Sequence, residues 1–193
     1  MTLVHVIRHG RTALNAAGRF RGLADPPLDE AGLAEVGTTA GELQGHAVAW
    51  VATSRLRRAR QTAEAIGRVV GLEPAEDPGL LDVDMGVWEG LTKDEAAASY
   101  PDAFAIYAEH PRDATVPGGD VLADVESRVL GAVAALAAAH PGGEIVAVSH
   151  EAPIKLLVSG LLGLDGPDVW SLDLPTASRT TIRIDGTGWR LAP

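Results

Sequence analysis

The first apolar run of the chain, residues 3–7, stops abruptly at Arg8-His9-Gly10, the pattern of a buried strand emptying into a polar turn. The pattern recurs at residues 49–52, which end in Thr53-Ser54, and at residues 145–148, which end in Ser149-His150. Helical spacing follows each run. Residues 31–43 carry apolar positions at Leu33, Val36, Ala40 and Leu43, and residues 56–70 and 153–162 predict helices after the second and third runs. Pro153 suits a first helical turn, where no backbone donor is needed. Repeated strand, turn and helix predict an α/β fold: a mainly parallel central sheet with helices on both faces.

The intervening stretches are less regular. Residues 15–29 read as a loop containing Gly18, Gly22 and Pro26-Pro27, and residues 80–90 as an irregular segment. Residues 93–110 predict one or two short helices divided at Pro101, and residues 83–119 together are expected to form a lid over the site. An Ala-rich helix is predicted over 120–139, after the turn Pro117-Gly118-Gly119, with Asp120 as its N-cap. Residues 170–174 and 180–184 predict closing strands, and Asp185-Gly186 a hairpin turn into 189–191. With no repeat and no linker, residues 1–193 read as one domain.

Composition narrows the functional classes. A hydrophobic fraction of 46% with 22% charged residues belongs to a soluble globular chain. The formal charge of -10 argues against a nucleic-acid or anionic-membrane binder, since both require a cationic surface. A phosphate ligand stays compatible, because screening confines exposed charges to about 8 Å and a few pocket arginines outweigh a distant acidic surface. The absence of cysteine excludes disulfides, thiolate metal sites and cysteine nucleophiles. The amino terminus, interrupted by Arg8, reads as a strand and not a signal peptide, and the richest apolar stretch, residues 130–139, is too short to span a bilayer. A cytoplasmic location is expected by default. Oligomeric state stays open, a homodimer included.

Ligands of open α/β sheets bind at the carboxyl ends of the strands. The predicted strands deliver Arg8-His9, Ser54 with an Arg-rich helix start, and Ser149-His150 to that one rim. Imidazoles and guanidiniums converging there make a site for a tetrahedral oxyanion. The residues carrying this convergence resemble a known family. Arg8-His9-Gly10, Asn15 and Arg19-Phe20-Arg21-Gly22 are similar to the opening signature of the histidine phosphatase superfamily, which includes the phosphoglycerate mutases. The run from Ser54 through Arg57-Arg58-Ala59-Arg60-Gln61-Thr62 resembles its second signature, Leu81-Asp82 through Trp88-Glu89-Gly90 its third, and Val148-Ser149-His150 with Pro153 its fourth.

The resemblance implies a three-layer α/β/α sandwich and a covalent phosphohistidine mechanism needing no metal or cofactor. It makes His9 the nucleophile and His150 its catalytic partner, with Arg8 and Arg58 binding phosphate and Asp82 acting as general acid and base. Asn15, Arg21 and Gly22 map to substrate contacts, and Glu151, beside His150, is a further candidate for one. Physically, an imidazole among cations keeps its lone pair at neutral pH, and donors on the nonbridging oxygens supply the electrostatic stabilisation that dominates phosphoryl transfer. The chain departs from the family's pattern at two places. Asp82 is one methylene shorter than the Glu common in the mutases, which leaves Asp84 and Glu89 as alternative donors. Glu151 stands where many relatives carry glycine, where it would repel an anionic substrate group or select a cationic one.

Between Asp82 and His150 the only Lys and Arg residues are Lys93, Arg112 and Arg128, against eleven acidic residues. That balance points to hydrolysis of a small-molecule phosphomonoester over a mutase handling a doubly anionic phosphoglycerate. A cofactor-dependent phosphoglycerate mutase is the first alternative, and a phospholigand-binding module without turnover the second.

Overall fold

The computed structural model describes residues 1–192. β1 (Thr2–Arg8) leads through a short helix α1 (Ala13–Ala16) and a loop to α2 (Glu30–Glu42), then β2 (Val48–Thr53), α3 (Arg57–Val70) and a two-residue strand β3 (Ala75–Glu76). Single 3-10 turns at Pro78–Leu80 and Gly86–Trp88 precede α4 (Lys93–Ser99) and α5 (Pro101–Glu109). After a further 3-10 turn at Pro111–Asp113 come α6 (Leu122–Ala139), β4 (Glu144–Ser149), α7 (Glu151–Leu162), α8 (Asp168–Ser171), β5 (Arg179–Asp185) and β6 (Gly188–Leu191). The strands form one six-stranded sheet of order β3-β2-β4-β1-β5-β6. The first four strands run parallel, and β5 and β6 add an antiparallel hairpin beyond β1.

Strand alternation builds the layers. Ile7, Val146 and Val148 point to one face, where Ala40 of α2, its C-cap Leu43, and Ala59, Ala63 and Ile66 of α3 cover them. Val4, Val6, Ile145 and Ala147 point to the other, against Val129 and Val133 of α6 and Ile154 and Leu157 of α7. The α/β/α sandwich expected from the sequence is therefore present. A separate apolar cluster, with Phe20, Trp88, Tyr107, Leu122 and Leu156, lies under α4 and α5. Among the described residues no helix is long and apolar enough to cross a membrane.

Several local expectations fail for identifiable reasons. Residues 170–174 form no strand: Trp170 lies in α8, stacked on Tyr107 at 4.6 Å between ring centroids, with its indole N–H donating to the Tyr107 carbonyl at 2.6 Å. That apolar run is consumed by packing against α5. Asp120 does not cap α6, whose N-cap is Val121 without a side-chain bond. Its carboxylate instead accepts from the Asp84 amide at 2.9 Å, tying residues 117–119 to the segment after Asp82. Asn15 sits in α1 and not in open loop, because Thr12 and Asn15 close a capping box.

The turn after β1 is pinned by close backbone approach. A β-carbon on Gly32 of α2 would lie 2.1 Å from the Arg11 carbonyl oxygen, whereas one on Gly37, in the same helix, meets nothing within 4 Å. Helix propensity favours alanine over glycine equally at both positions. We expect Gly37→Ala to stabilise by about 0.5–1 kcal/mol. Gly32→Ala should destabilise by about 1–3 kcal/mol through overpacking. Urea unfolding of the two variants reads the opposite signs.

Candidate active site

β1 and β4 are neighbours with Arg8 in register with Ser149, so His9 and His150 leave the sheet side by side. Their ring centroids lie 5.1 Å apart with the planes inclined at 57°. His9 Nδ1 is 2.7 Å from the Gly10 carbonyl oxygen. A carbonyl only accepts, so Nδ1 carries the hydrogen and Nε2 presents its lone pair. Among the described residues His9 Nε2, both His150 ring nitrogens, and the Nε atoms of Arg8 and Arg58 are buried without a hydrogen-bond partner. A native interior rarely leaves so many buried polar atoms unpaired in one place, and their chemistry matches a tetrahedral oxyanion.

Burial pushes the His9 imidazole well below its ordinary pKa, and His150, Arg58 and Arg21 push it further. His150 is lowered in the same way, by burial first and then by Arg58 and Arg21. Both rings are therefore neutral at neutral pH.

Arg58, at the second position of α3, is fully buried. Its Nη1 donates to the Ala24 carbonyl at 2.6 Å, and its Nη2 to the Gly22 carbonyl at 2.9 Å and to Asp82 Oδ2 at 2.8 Å. Asp82 Oδ1 accepts from the Val83 amide at 2.9 Å, and Oδ2 stands 3.5 Å from His150 Nδ1. The carboxyl thus faces both the guanidinium and the second imidazole.

Above this buried floor opens a cavity of about 420 Å³, lined by Arg8, Arg21 and Asp82, by residues of the loop after β1 and of α7, and by Met85, Lys93 and Tyr107. Glu151, in the first turn of α7, enters it: Oε2 lies 2.7 Å from Arg8 Nη2 and 3.3 Å from Arg21 Nη2, and Oε1 lies 3.5 Å from Lys155. Burial raises the Glu151 carboxyl, but Arg8, Arg21 and Lys155 outweigh it and hold it below its ordinary pKa. Arg8 is anchored from behind by the Leu174 carbonyl.

With this geometry in place, comparison with known proteins is informative. The model of the histidine phosphatase superfamily, branch 1, matches residues 4–192. The chain belongs to that superfamily. It is 31% identical, over 96% of its length and 88% of the relative's, to phosphoserine phosphatase 1 of Hydrogenobacter thermophilus. It is 30% identical, over 98% of its length and 88% of the relative's, to a probable phosphoglycerate mutase of Cronobacter sakazakii. A mycobacterial glucosyl-3-phosphoglycerate phosphatase, solved with VO3, superposes with a TM-score of 0.87 at 30% identity, covering 98% of this chain and 96% of that one.

Within this histidine phosphatase the remaining sequence candidates separate. Asp84 Oδ1 accepts from the Gly86 amide and Glu89 Oε2 from the Ala24 amide, and neither residue lines the cavity, whereas Asp82 does. Asn15 borders the cavity, but its side-chain oxygen is engaged by Thr12. Gly22 also lines it, at φ 51°, where an added β-carbon would meet Glu89 Oε2 at 2.7 Å. That close approach and the carbonyl given to Arg58 account for glycine there. Sequence reading did not single out Lys93, Lys155, Tyr107 and Trp170, which all line the cavity. Lys155 carried a signal, standing in the helix predicted over 153–162 and four residues after Glu151. None of the acidic residues between 83 and 119 lines the cavity, so the acidic balance of that segment does not describe what a ligand meets.

The depressed histidines also set the acid stability. The unfolded chain protonates them near pH 6.5 while the folded chain does not, so unfolding takes up protons and stability falls as pH drops below that value. Each buried histidine adds up to about 1.4 kcal/mol per pH unit to this slope. Denaturant unfolding between about pH 6.5 and 5 should show the decline, and His150→Gln should flatten it by about one histidine's share.

Proposed function

We propose that the chain is a metal-independent phosphomonoester hydrolase working through a phosphohistidine on His9. The observation that carries this reading is the forced tautomer of His9: a neutral, buried imidazole with a bare Nε2, beside His150 and within the field of Arg58 and Arg21. An in-line nucleophile and preorganised donors on the nonbridging oxygens are the two things a phosphoryl transfer site must supply.

In the first step His9 Nε2 attacks phosphorus, the ester P–O bond breaks, and the Asp82 carboxyl donates its proton to the leaving oxygen. In the second, water attacks phosphorus, Asp82 takes the water's proton, and the N–P bond breaks to release inorganic phosphate and neutral His9. A phosphate that draws the Arg58 donors away from Asp82 frees Oδ2 to carry the proton between the two steps. Residues 83–119 act as the lid, contributing Met85, Lys93 and Tyr107 to the cavity wall.

Hydrolysis is favoured over mutase chemistry by Glu151. A mutase must bind a second anionic group, and here one carboxylate already occupies Arg8, Arg21 and Lys155. Arg11 is likewise paired with Asp29 and Arg19 with Glu95. The substrate that fits carries one phosphate on a small body that is neutral or zwitterionic at its other end. The phosphatases among the relatives support the same side, although a mutase is among them too.

Acid quench of the wild type with a reactive phosphomonoester should trap acid-labile phosphate that is missing from His9→Ala, with turnover reduced about 10⁴-fold or more. Asp82→Asn should lower kcat by about 10²–10⁴-fold on poor leaving groups. Fast isomerisation of 3-phosphoglycerate, primed with 2,3-bisphosphoglycerate and releasing little phosphate, would make the enzyme a mutase. No trapping and no turnover on a broad ester panel would leave a phospholigand-binding module. Glu151→Gln frees three cations, and inorganic phosphate should then inhibit about 3–10-fold more tightly in steady-state assays.

A further inference from the structure

A second group of ionisable side chains lies at the other end of the sheet. His5 is in the middle of β1, Glu144 opens β4 opposite Leu3, and His46 follows α2 in the turn to β2. Residues 5, 7, 144, 146 and 148 share one sheet face by strand alternation, so the group sits at the base of the α2–α3 layer while the phosphate site occupies the strands' carboxyl ends. His5 Nε2 and His46 Nδ1 each approach Glu144 Oε1 to 2.6 Å. The ligating atoms of the three residues all lie within 4.8 Å of one another. The phosphoryl transfer scheme uses none of them.

We propose that His5, His46 and Glu144 bind a zinc-class divalent cation that clamps the α2–β2 turn to β1 and β4. Two imidazoles and a carboxylate are a borderline donor set suited to Zn²⁺ or Co²⁺, with water completing a tetrahedron. Metal–ligand bonds of about 2.0–2.2 Å spread tetrahedral donors to about 3.3 Å. The two imidazoles would therefore move outward from Glu144 by about 0.7 Å. His46 can supply that movement, since its side chain is one-third exposed on a turn.

The surroundings of His5 fit a ligand. Its other nitrogen, Nδ1, is 2.9 Å from the Thr181 hydroxyl on β5. A hydroxyl donates or accepts by rotation, so Thr181 can hold Nδ1–H and leave the Nε2 lone pair for the cation, the outer-shell contact that orients ligating histidines. The guanidinium of Arg179 is the nearby opposing charge, and it lies 3.8 Å from Glu42. The contrast with the other histidine pair is chemical: His9 and His150 are ringed by guanidiniums, which repel a cation.

The test uses tag-free, full-length protein freed of metal, titrated with Zn²⁺ by calorimetry and with Co²⁺ by visible absorption. One equivalent of Zn²⁺, a tetrahedral Co²⁺ spectrum and a Zn²⁺-dependent rise in Tm are expected. His46→Ala and Glu144→Gln should each weaken binding about tenfold or more and remove the Tm rise, while His150→Ala keeps both. Absence of binding by the wild type, unchanged binding by His46→Ala, or loss of binding in His150→Ala would overturn the site. These readouts are independent of turnover, so they stand apart from the phosphatase reading.

Discussion

The architecture of the phosphate end depends on one buried charge. Arg58 has no exposed surface, and an unpaired guanidinium there would cost several kcal/mol in lost hydration. Its partners are drawn from two other segments, the carbonyls of Gly22 and Ala24 and the carboxylate of Asp82, while α3 carries it. The loop after β1, the segment around Asp82 and α3 must therefore meet at one point. Removing one partner exposes the cost of the charge as well as the lost bond, which is why such a centre is organised all together or not at all.

The same electrostatics explain why a cluster of cations can exist before any anion arrives. Arg8, Arg21 and Lys155 would repel one another in a low-dielectric cavity, and the Glu151 carboxylate relieves that repulsion from the first turn of α7, where a helix favours negative charge. A substrate phosphate does the same for the deeper donors. The site thus has two anion positions at different depths, one filled by the protein itself and one matched to phosphoryl oxygens. Glu151 thereby stands beside the phosphate position with its charge already spent on Arg8, Arg21 and Lys155.

Much of this was legible in the sequence where local pattern and global fold agree. The apolar runs of β1, β2 and β4 and the polar residues ending them located the rim, and His9, Arg8, Arg58, Asp82 and His150 were all marked as candidates by their motifs. What failed was decided by distant partners. Trp170 reads as strand because its neighbours are apolar, yet Tyr107, far away in sequence, captures it in a helical turn. Asp120 has the chemistry of a cap but is recruited by Asp84. The acidic count of residues 83–149 misled for a similar reason: composition averages over a segment, and a cavity samples only the faces turned inward, here Met85, Lys93 and Tyr107.

The two ends of the sheet show how identical side chains acquire opposite affinities. Each end pairs two histidines, and each has a carboxylate nearby. At the carboxyl ends Arg8, Arg21 and Arg58 exceed the acids, so the potential around His9 and His150 suits an anion. At the amino ends both imidazoles donate to Glu144, with Arg179 drawn toward Glu42, so the ring nitrogens face a carboxylate instead of guanidiniums. β1 and β4 contribute to both ends at fixed register, so the strands that hold His9 beside His150 also hold His5 and Glu144. A ligand bound at the amino ends would add its binding free energy to the stability of the same two strands, and thereby to the framework that keeps His9 beside His150.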